Sequence, residues 1–203
     1  MSAQAAVPTG NTFDKYGSTN LVVRRIMGGF QTTLDELWHR ADPQSLLDVG
    51  CGEGVLTHEW ARRMGERRIV GIDLDDTKLA AEWAERQRPN LEYRVEEATQ
   101  LSFADGEFDV ATAIEVLEHV PDPAATVAEM ARVADRWLLA SVPREPLWRG
   151  LNMARGSYWG QLGNTPGHVN HWSKRSFVQL LSRHGQVEEA RSPFPWTMLL
   201  VRL

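Results

Sequence analysis

Residues 114–120 read Ile-Glu-Val-Leu-Glu-His-Val, an apolar run interrupted by Glu115, Glu118 and His119. The spacing is i, i+3 and i+4, so a helical turn here would set all three on one face. Two carboxylates and an imidazole can hold a divalent ion, magnesium or manganese through the oxygens, or zinc. The imidazole can instead act as a general base. Acids at this position can also cap a following helix and favour its dipole. A fourth metal ligand would have to come from elsewhere. The segment Gly167-His-Val-Asn-His-Trp172 offers His168 as that ligand or as an alternative base, with His171 beside it.

A second stretch, Asp48-Val-Gly-Cys-Gly-Glu-Gly54, places glycines at 50, 52 and 54 where an apolar run gives way to a helical pattern. Alternate glycines let a backbone turn tightly and approach a ligand, and the helix start behind them offers unpaired N–H groups. Such a loop on its own is weak evidence of a site. The next apolar run ends in Ile72-Asp73, and an acid at that remove can accept both hydroxyls of an adenosine ribose. Either a dinucleotide or S-adenosylmethionine carries such a ribose. The dinucleotide pattern wants glycine where Val55 stands, which disfavours NAD.

The elements that must hold these residues follow from periodicity. Val22, Ile26, Phe30, Leu34 and Leu37 predict an amphipathic helix over about 19–40, ended by Asp42-Pro43. Short apolar strands then alternate with helices. Strands are expected at SLLDV, RRIVGID, LEYRV, FDVATAI and RWLLASV, with helices at 54–65, 75–88 and about 122–134. This predicts an α/β, Rossmann-like fold: a seven-stranded, mostly parallel sheet with helices on both faces. A helix at about 173–184 precedes two last strands, QVEEA and WTMLLVRL. Their short link RSPFP leaves room for an antiparallel pair only, so the last strand runs against the others. Residues 143–172, rich in glycine, proline and aromatics, read as a long irregular cap insertion after the fifth strand. The expected organisation is a flexible segment over 1–18 and one domain over 19–203.

The totals narrow the function. In 203 residues, 27 acids against 22 bases give a net charge of −5, which argues against a nucleic-acid partner. No apolar run is long enough for a membrane span, and the N-terminus has neither the basic start nor the apolar core of a signal peptide. A lone Cys51 cannot form an internal disulfide. A cytoplasmic location is expected. Oligomeric state is not legible.

The order D48VGCGEG54, G71ID73, E97ATQLSFADGEFD109 and E115VLEHVPDP123 resembles the class I S-adenosylmethionine-dependent methyltransferases, in particular the small-molecule branch that includes the ubiquinone-pathway enzymes. The resemblance implies cofactor contacts along residues 48–54, with Asp48, Gly50, Cys51, Gly52 and Gly54 around the methionine part. It implies Asp73 on the ribose and Leu74 against adenine. Glu97 and Ala98 would flank the adenine amino edge, with Glu97 where Asp is usual, and Ile114 and Glu115 would border the methionine end. Tyr16 would close over the cofactor from the N-terminal segment. It also implies a metal set: Glu115, Glu118, His119 and His168 look like the ligands of some catechol O-methyltransferases of that pathway and of small-RNA 3′-end methyltransferases. The cap aromatics Trp148, Tyr158, Trp159 and Trp172, with His171, are expected to wall the acceptor.

A sulfonium methyl is already activated, so alignment with the acceptor supplies much of the acceleration and a base is needed only for a reluctant proton. His168 and His119 are the base candidates. The expected activity is O-methylation of a small-molecule hydroxyl. The alternatives are an NAD-binding oxidoreductase on a similar sheet and a cofactor-binding protein of this fold that does not methylate.

Overall fold

The computed structural model describes residues 21–203 except 155 and 157. The segment expected to be flexible, 1–18, and Tyr16 with it, lie outside the described residues. Helix α1, Leu21–Ala41, turns Phe30, Leu34, Leu37, Trp38 and Ala41 inward; of the predicted stripe Phe30, Leu34 and Leu37 are buried, while Val22 at the helix start is exposed. The sheet follows: β1 Leu46–Val49, β2 Ile69–Asp73, β3 Leu91–Val95, β4 Phe108–Ile114, β5 Ala134–Pro143, β6 Gln186–Arg191 and β7 Trp196–Arg202. Helices α2 Val55–Met64, α3 Thr77–Glu85 and α4 Pro123–Val133 connect the early strands. Each start has a local cause. The Asp76 carboxylate accepts from Lys78 N–H to cap α3, and Asp122 accepts from Ala125 N–H to cap α4, with proline at its first turn.

The strand order is β3-β2-β1-β4-β5-β7-β6. Strands β1 to β5 pair in parallel, while β7 lies between β5 and β6 and runs antiparallel to both. The expected seven-stranded sheet with a reversed last strand is therefore present. Alternation of side chains sorts the core onto two faces. On one, Leu47, Val49, Leu199 and Val201 pack with α4 and with α6, Lys174–Leu181. On the other, Leu46, Met198 and Leu200 pack with α1 and α2. The chain runs outward from β1 to β3 and returns to β4, so a crevice opens beyond the carboxyl ends of β1 and β4, where open α/β sheets bind ligands.

The cap differs from its expected irregularity. It contains an eight-residue helix, α5 Leu147–Ala154, and a 3-10 turn at Trp159–Gln161. Asn152 ties α5 to the following loop by donating to Gly163 O at 2.8 Å and to Thr165 Oγ1 at 3.1 Å.

Candidate functional site

The crevice holds a pocket of about 390 Å3. Its floor is the glycine loop. Gly50, Gly52 and Gly54 all have positive φ, 71°, 54° and 76°. Gly50 is pressed against Val116: a Cβ there would stand 2.5 Å from that side chain. Gly54, at the N-cap of α2, is pressed against the Tyr93 hydroxyl and is not among the pocket-lining residues. Gly52 has open space above it and lines the pocket. Sterics thus explain the outer two glycines, and ligand access explains the middle one.

Two acids brace this loop. Asp48 is buried beneath it and accepts from Thr57 Oγ1 at 2.6 Å and Thr112 Oγ1 at 2.7 Å. Burial pushes its carboxyl up to about 6, against the opposing pull of the two hydroxyls. With both oxygens engaged by threonines, Asp48 shapes the loop from below while still bordering the pocket. Asp73 accepts from Gly52 N–H at 2.7 Å and from Leu74 N–H at 2.8 Å. Burial raises its carboxyl as well, and those two N–H groups oppose the rise. Cys51 lines the pocket, but burial first, and then the nearby Asp48 and Asp73 charges, push its thiol far up, so it is no nucleophile.

Beyond Asp73, the exposed side chain of Leu74, with Glu97 and Ala98, forms the wall on the β2–β3 side. Ile114, Glu115 and His119 form the opposite wall, above β4. The pocket therefore gathers every cofactor residue expected from the sequence within the described residues except Gly54. Among the further lining residues that sequence reasoning passed over are Met27 and Phe30 of α1, and Trp196 at the start of β7. Phe30 and Trp196 carry no polar motif and read as ordinary core. They meet edge to face, with ring centroids 4.7 Å apart.

Residues 115–119 are a bend followed by a turn, and the expected helical face is not formed. Glu115 takes the left-handed region with φ 62°, a costly conformation for a residue with a Cβ. Its carboxylate accepts from Trp196 Nε1 at 2.6 Å and from Ser141 Oγ at 3.2 Å. Glu118 and His119 instead converge with His168: one donor atom from each lies within 4.8 Å of the others. Glu115, expected to share the metal set with Glu118 and His119, stands outside that cluster. Capping of α4, a role open to these acids, falls to Asp122.

The 167–172 segment is strapped onto this turn. Val169 N–H and Asn170 N–H both donate to Glu118 O, at 2.9 and 3.0 Å. The Asn170 amide donates to Leu117 O at 3.1 Å and Val120 O at 2.7 Å. His119 Nδ1 faces Gly167 O at 3.0 Å. A carbonyl only accepts, so Nδ1 carries a proton, and in the neutral ring Nε2 is the acceptor nitrogen. His168 is buried, with its ring perpendicular to that of His119 at 4.8 Å and stacked on Trp148 at 6.2 Å. Trp148 reaches on to Trp196, 5.6 Å away.

The other cap residues spread apart. Trp172 donates to Leu117 O at 3.3 Å and packs on Phe177 in the core. His171 bonds Asn164, Tyr158 stands before the 3-10 turn without a side-chain hydrogen bond to it, and Trp159 is 62% exposed. None of Trp148, Tyr158, Trp159, His171 and Trp172 lines the pocket.

Comparison with known proteins agrees with this geometry. Residues 47–136 match the family model described as a methyltransferase domain. The chain is 42% identical over 92 residues to a ubiquinone biosynthesis O-methyltransferase of Hahella chejuensis, covering 44% of this chain and 38% of that protein. It is 33% identical over 157 residues to the protein of the same description from Methylococcus capsulatus, covering 68% of this chain and 65% of that one. The chain thus matches less than two thirds of these relatives' length. Among solved structures, a magnesium protoporphyrin IX methyltransferase from Synechocystis with bound SAH superposes with a TM-score of 0.67 at 20% identity, over 92% of this chain and 89% of that one. The cyclase SpnF superposes at 0.66 with 17% identity, over 97% and 87%. At these identities the superpositions speak for the fold.

Proposed function

We propose, for a chain that belongs to the class I S-adenosylmethionine-dependent methyltransferases, that it transfers the sulfonium methyl of that cofactor to a hydroxyl of a small-molecule acceptor. The observation that carries this reading is the single pocket in which Asp73, the glycine loop, Leu74, Ala98, Ile114 and Glu115 meet at the switch point of the sheet. The ribose hydroxyls go to Asp73 and the adenine to Leu74 and Ala98. The amino-acid arm runs over Gly50–Gly52 towards β4. The acceptor enters above β4, between His119 and the aromatic pair Phe30–Trp196. In the transfer the acceptor oxygen forms the bond to the methyl carbon, the carbon–sulfur bond breaks, and the cofactor leaves as a neutral thioether. His119 Nε2 takes the hydroxyl proton. His168, buried against His119, positions that ring. The kinship to ubiquinone biosynthesis O-methyltransferases supports an oxygen acceptor.

The test is binding followed by transfer. Titration calorimetry should show S-adenosylmethionine binding and no comparable heat with NADH. Labelled cofactor should then mark a phenol or catechol in a panel that also holds amines and carboxylic acids. Binding without transfer to any acceptor would leave a cofactor-binding protein that does not methylate. NADH binding alone would favour an oxidoreductase.

A second reading of the same wall is favoured by the convergence of Glu118, His119 and His168. These residues would hold a divalent cation. One carboxylate and two imidazoles suit manganese or zinc better than magnesium, which prefers oxygen. The Gly167 carbonyl on His119 Nδ1 is the kind of outer contact that orients a ligating imidazole. A bound ion would supply Lewis acidity, lowering the pKa of a hydroxyl placed beside it. His119 would then be a ligand, and the base reading would fall.

A further inference from the structure

Gly52 is held at both of its peptide links. Its N–H donates to Asp73, and its carbonyl accepts from the indole N–H of Trp83 at 2.8 Å. The first contact fixes the peptide before Gly52, the second the peptide after it. A peptide unit is planar, so together they set both soft dihedrals of a residue that has no side chain to restrain them. Asp73 belongs to the expected site. Trp83 does not: it lies on α3, is buried, and does not line the pocket.

Trp83 is itself immobilised. Its ring stacks face to face on Tyr93 of β3, with centroids 5.1 Å apart and planes 4° from parallel. Tyr93 in turn donates its hydroxyl to Gly54 O at 3.2 Å. Burial pushes that hydroxyl further up, so it keeps its proton and remains a donor. Gly71, the register partner of Tyr93 on β2, leaves room for the ring: a Cβ there would stand 3.0 Å from it. One aromatic pair thus donates to two alternate carbonyls of the loop from outside the pocket.

We propose that Trp83 is a positioning residue for the cofactor: through Gly52 O it holds the middle of the loop in its binding conformation before any ligand arrives. The inference rests on the proposed cofactor. Its physical basis is pre-organisation. Without the indole N–H, Gly52 samples other conformations, and affinity falls in proportion to the fraction of loops left in the competent one. A residue that only packed the fold would change stability and leave affinity alone.

The experiment uses the full chain and S-adenosylhomocysteine. Trp83→Phe keeps a ring on Tyr93 and deletes the N–H. Calorimetry should show about three- to tenfold weaker binding, the effect of one such hydrogen bond. In the free variant the Gly52 amide should exchange its hydrogen faster by about the same factor, and saturating ligand should restore its protection. Tyr93→Phe keeps the stack and removes the hydroxyl. It should weaken binding by only about two- to threefold, because the His58 N–H still holds Gly54 O. Wild-type affinity with a lowered urea midpoint in Trp83→Phe would make Trp83 a packing residue and overturn the inference. Weaker binding with unchanged Gly52 exchange would overturn it too, because the loss would not pass through the loop. Should Trp83→Phe fail to fold, the Trp83 indole hydrogen of the unaltered chain decides. Its exchange should slow in step with the Gly52 amide as ligand is added, and a rate indifferent to ligand would overturn the inference. A wild-type chain that binds no S-adenosylhomocysteine would bring down the proposed function, and this inference with it.

Discussion

The N–H of Gly52 donates to the Asp73 carboxylate at 2.7 Å, so the middle of the glycine loop is tied to the end of the neighbouring strand. Leu74 N–H donates to the other oxygen at 2.8 Å. Asp73 therefore does two jobs: it fixes the loop and presents its carboxylate to the pocket.

Removing it should separate those jobs from the rest of the fold. Asp73→Ala is expected to weaken S-adenosylmethionine binding by about ten- to a hundredfold, on the order of 1.5–3 kcal/mol. Asp73→Asn should lose nearly as much, since an amide accepts through one oxygen only. Calorimetry giving the wild-type affinity for either variant would remove Asp73 from the ribose role.

The three loop glycines should respond differently to alanine. Gly54→Ala forces a Cβ into the Tyr93 hydroxyl at a positive φ, and a loss of about 2–4 kcal/mol in urea unfolding is expected. Gly52→Ala meets no atom within 4 Å, so it should cost about 1–2 kcal/mol of stability for its φ of 54°. Its Cβ would stand in the pocket, so cofactor affinity should suffer more than stability. The reverse ranking would contradict the assignment of the middle glycine to ligand access.

Asp48 makes stability depend on pH in a defined direction. Its carboxyl titrates near 6 in the folded chain and near the ordinary 3.8 when unfolded. Folding therefore takes up a proton between those values. The stability this group allows is full below about pH 4 and is lost as pH rises through 6, by about 3 kcal/mol in all. Asp48→Asn can keep a hydrogen bond to both Thr57 and Thr112 without the charge. The variant's advantage over wild type should grow between pH 4 and 6 and then level off. Urea midpoints showing a constant difference across that range would refute it.

Much of this was legible in the residues. Short apolar runs between helical patterns gave away the strands, and the structure adds the caps that start the helices, Asp76, Asp122 and Ser173. The loop glycines and Asp73 could be read because local chemistry dictates them. What escaped depends on long-range packing. Trp196 reads as the first residue of a buried strand, and only the placement of β7 beside β5 brings its indole to Glu115. The turn at Glu115 escaped because spacing alone suggests a helix, whereas φ 62° is imposed by contacts from β5 and β7. Helix α5 was hidden by Pro146 and Gly150 around and within it.

The cluster beyond Glu115 yields a test of its own. If a cation sits there, Glu118→Gln and His168→Ala should each weaken manganese binding by tenfold or more, about 1.4 kcal/mol at least. Glu115→Gln should leave it within about twofold, because Glu115 stands outside that cluster. Loss of the free-ion paramagnetic resonance signal on titration reads binding without any acceptor. Full transfer activity after exhaustive chelation would leave His119 as a plain base.

Asn170 was no candidate from sequence, yet its side-chain amide holds the carbonyls of Leu117 and Val120 on either side of Glu118 and His119. Asn170→Ala should take a donor from Val120 O, leave Leu117 O with the longer bond from Trp172, and loosen the strap that carries His168. A loss of about 1–3 kcal/mol is expected, local to this turn. Turnover should therefore fall well before cofactor affinity does, since Asp73 and the glycine loop lie on the other side of the pocket. Hydrogen exchange gives the direct check. The Val169 and Asn170 amides, which donate to Glu118 O, should exchange faster in the variant, while amides of β1 and β2 stay protected. Unchanged exchange at 169 and 170 would show that the strap is held without Asn170.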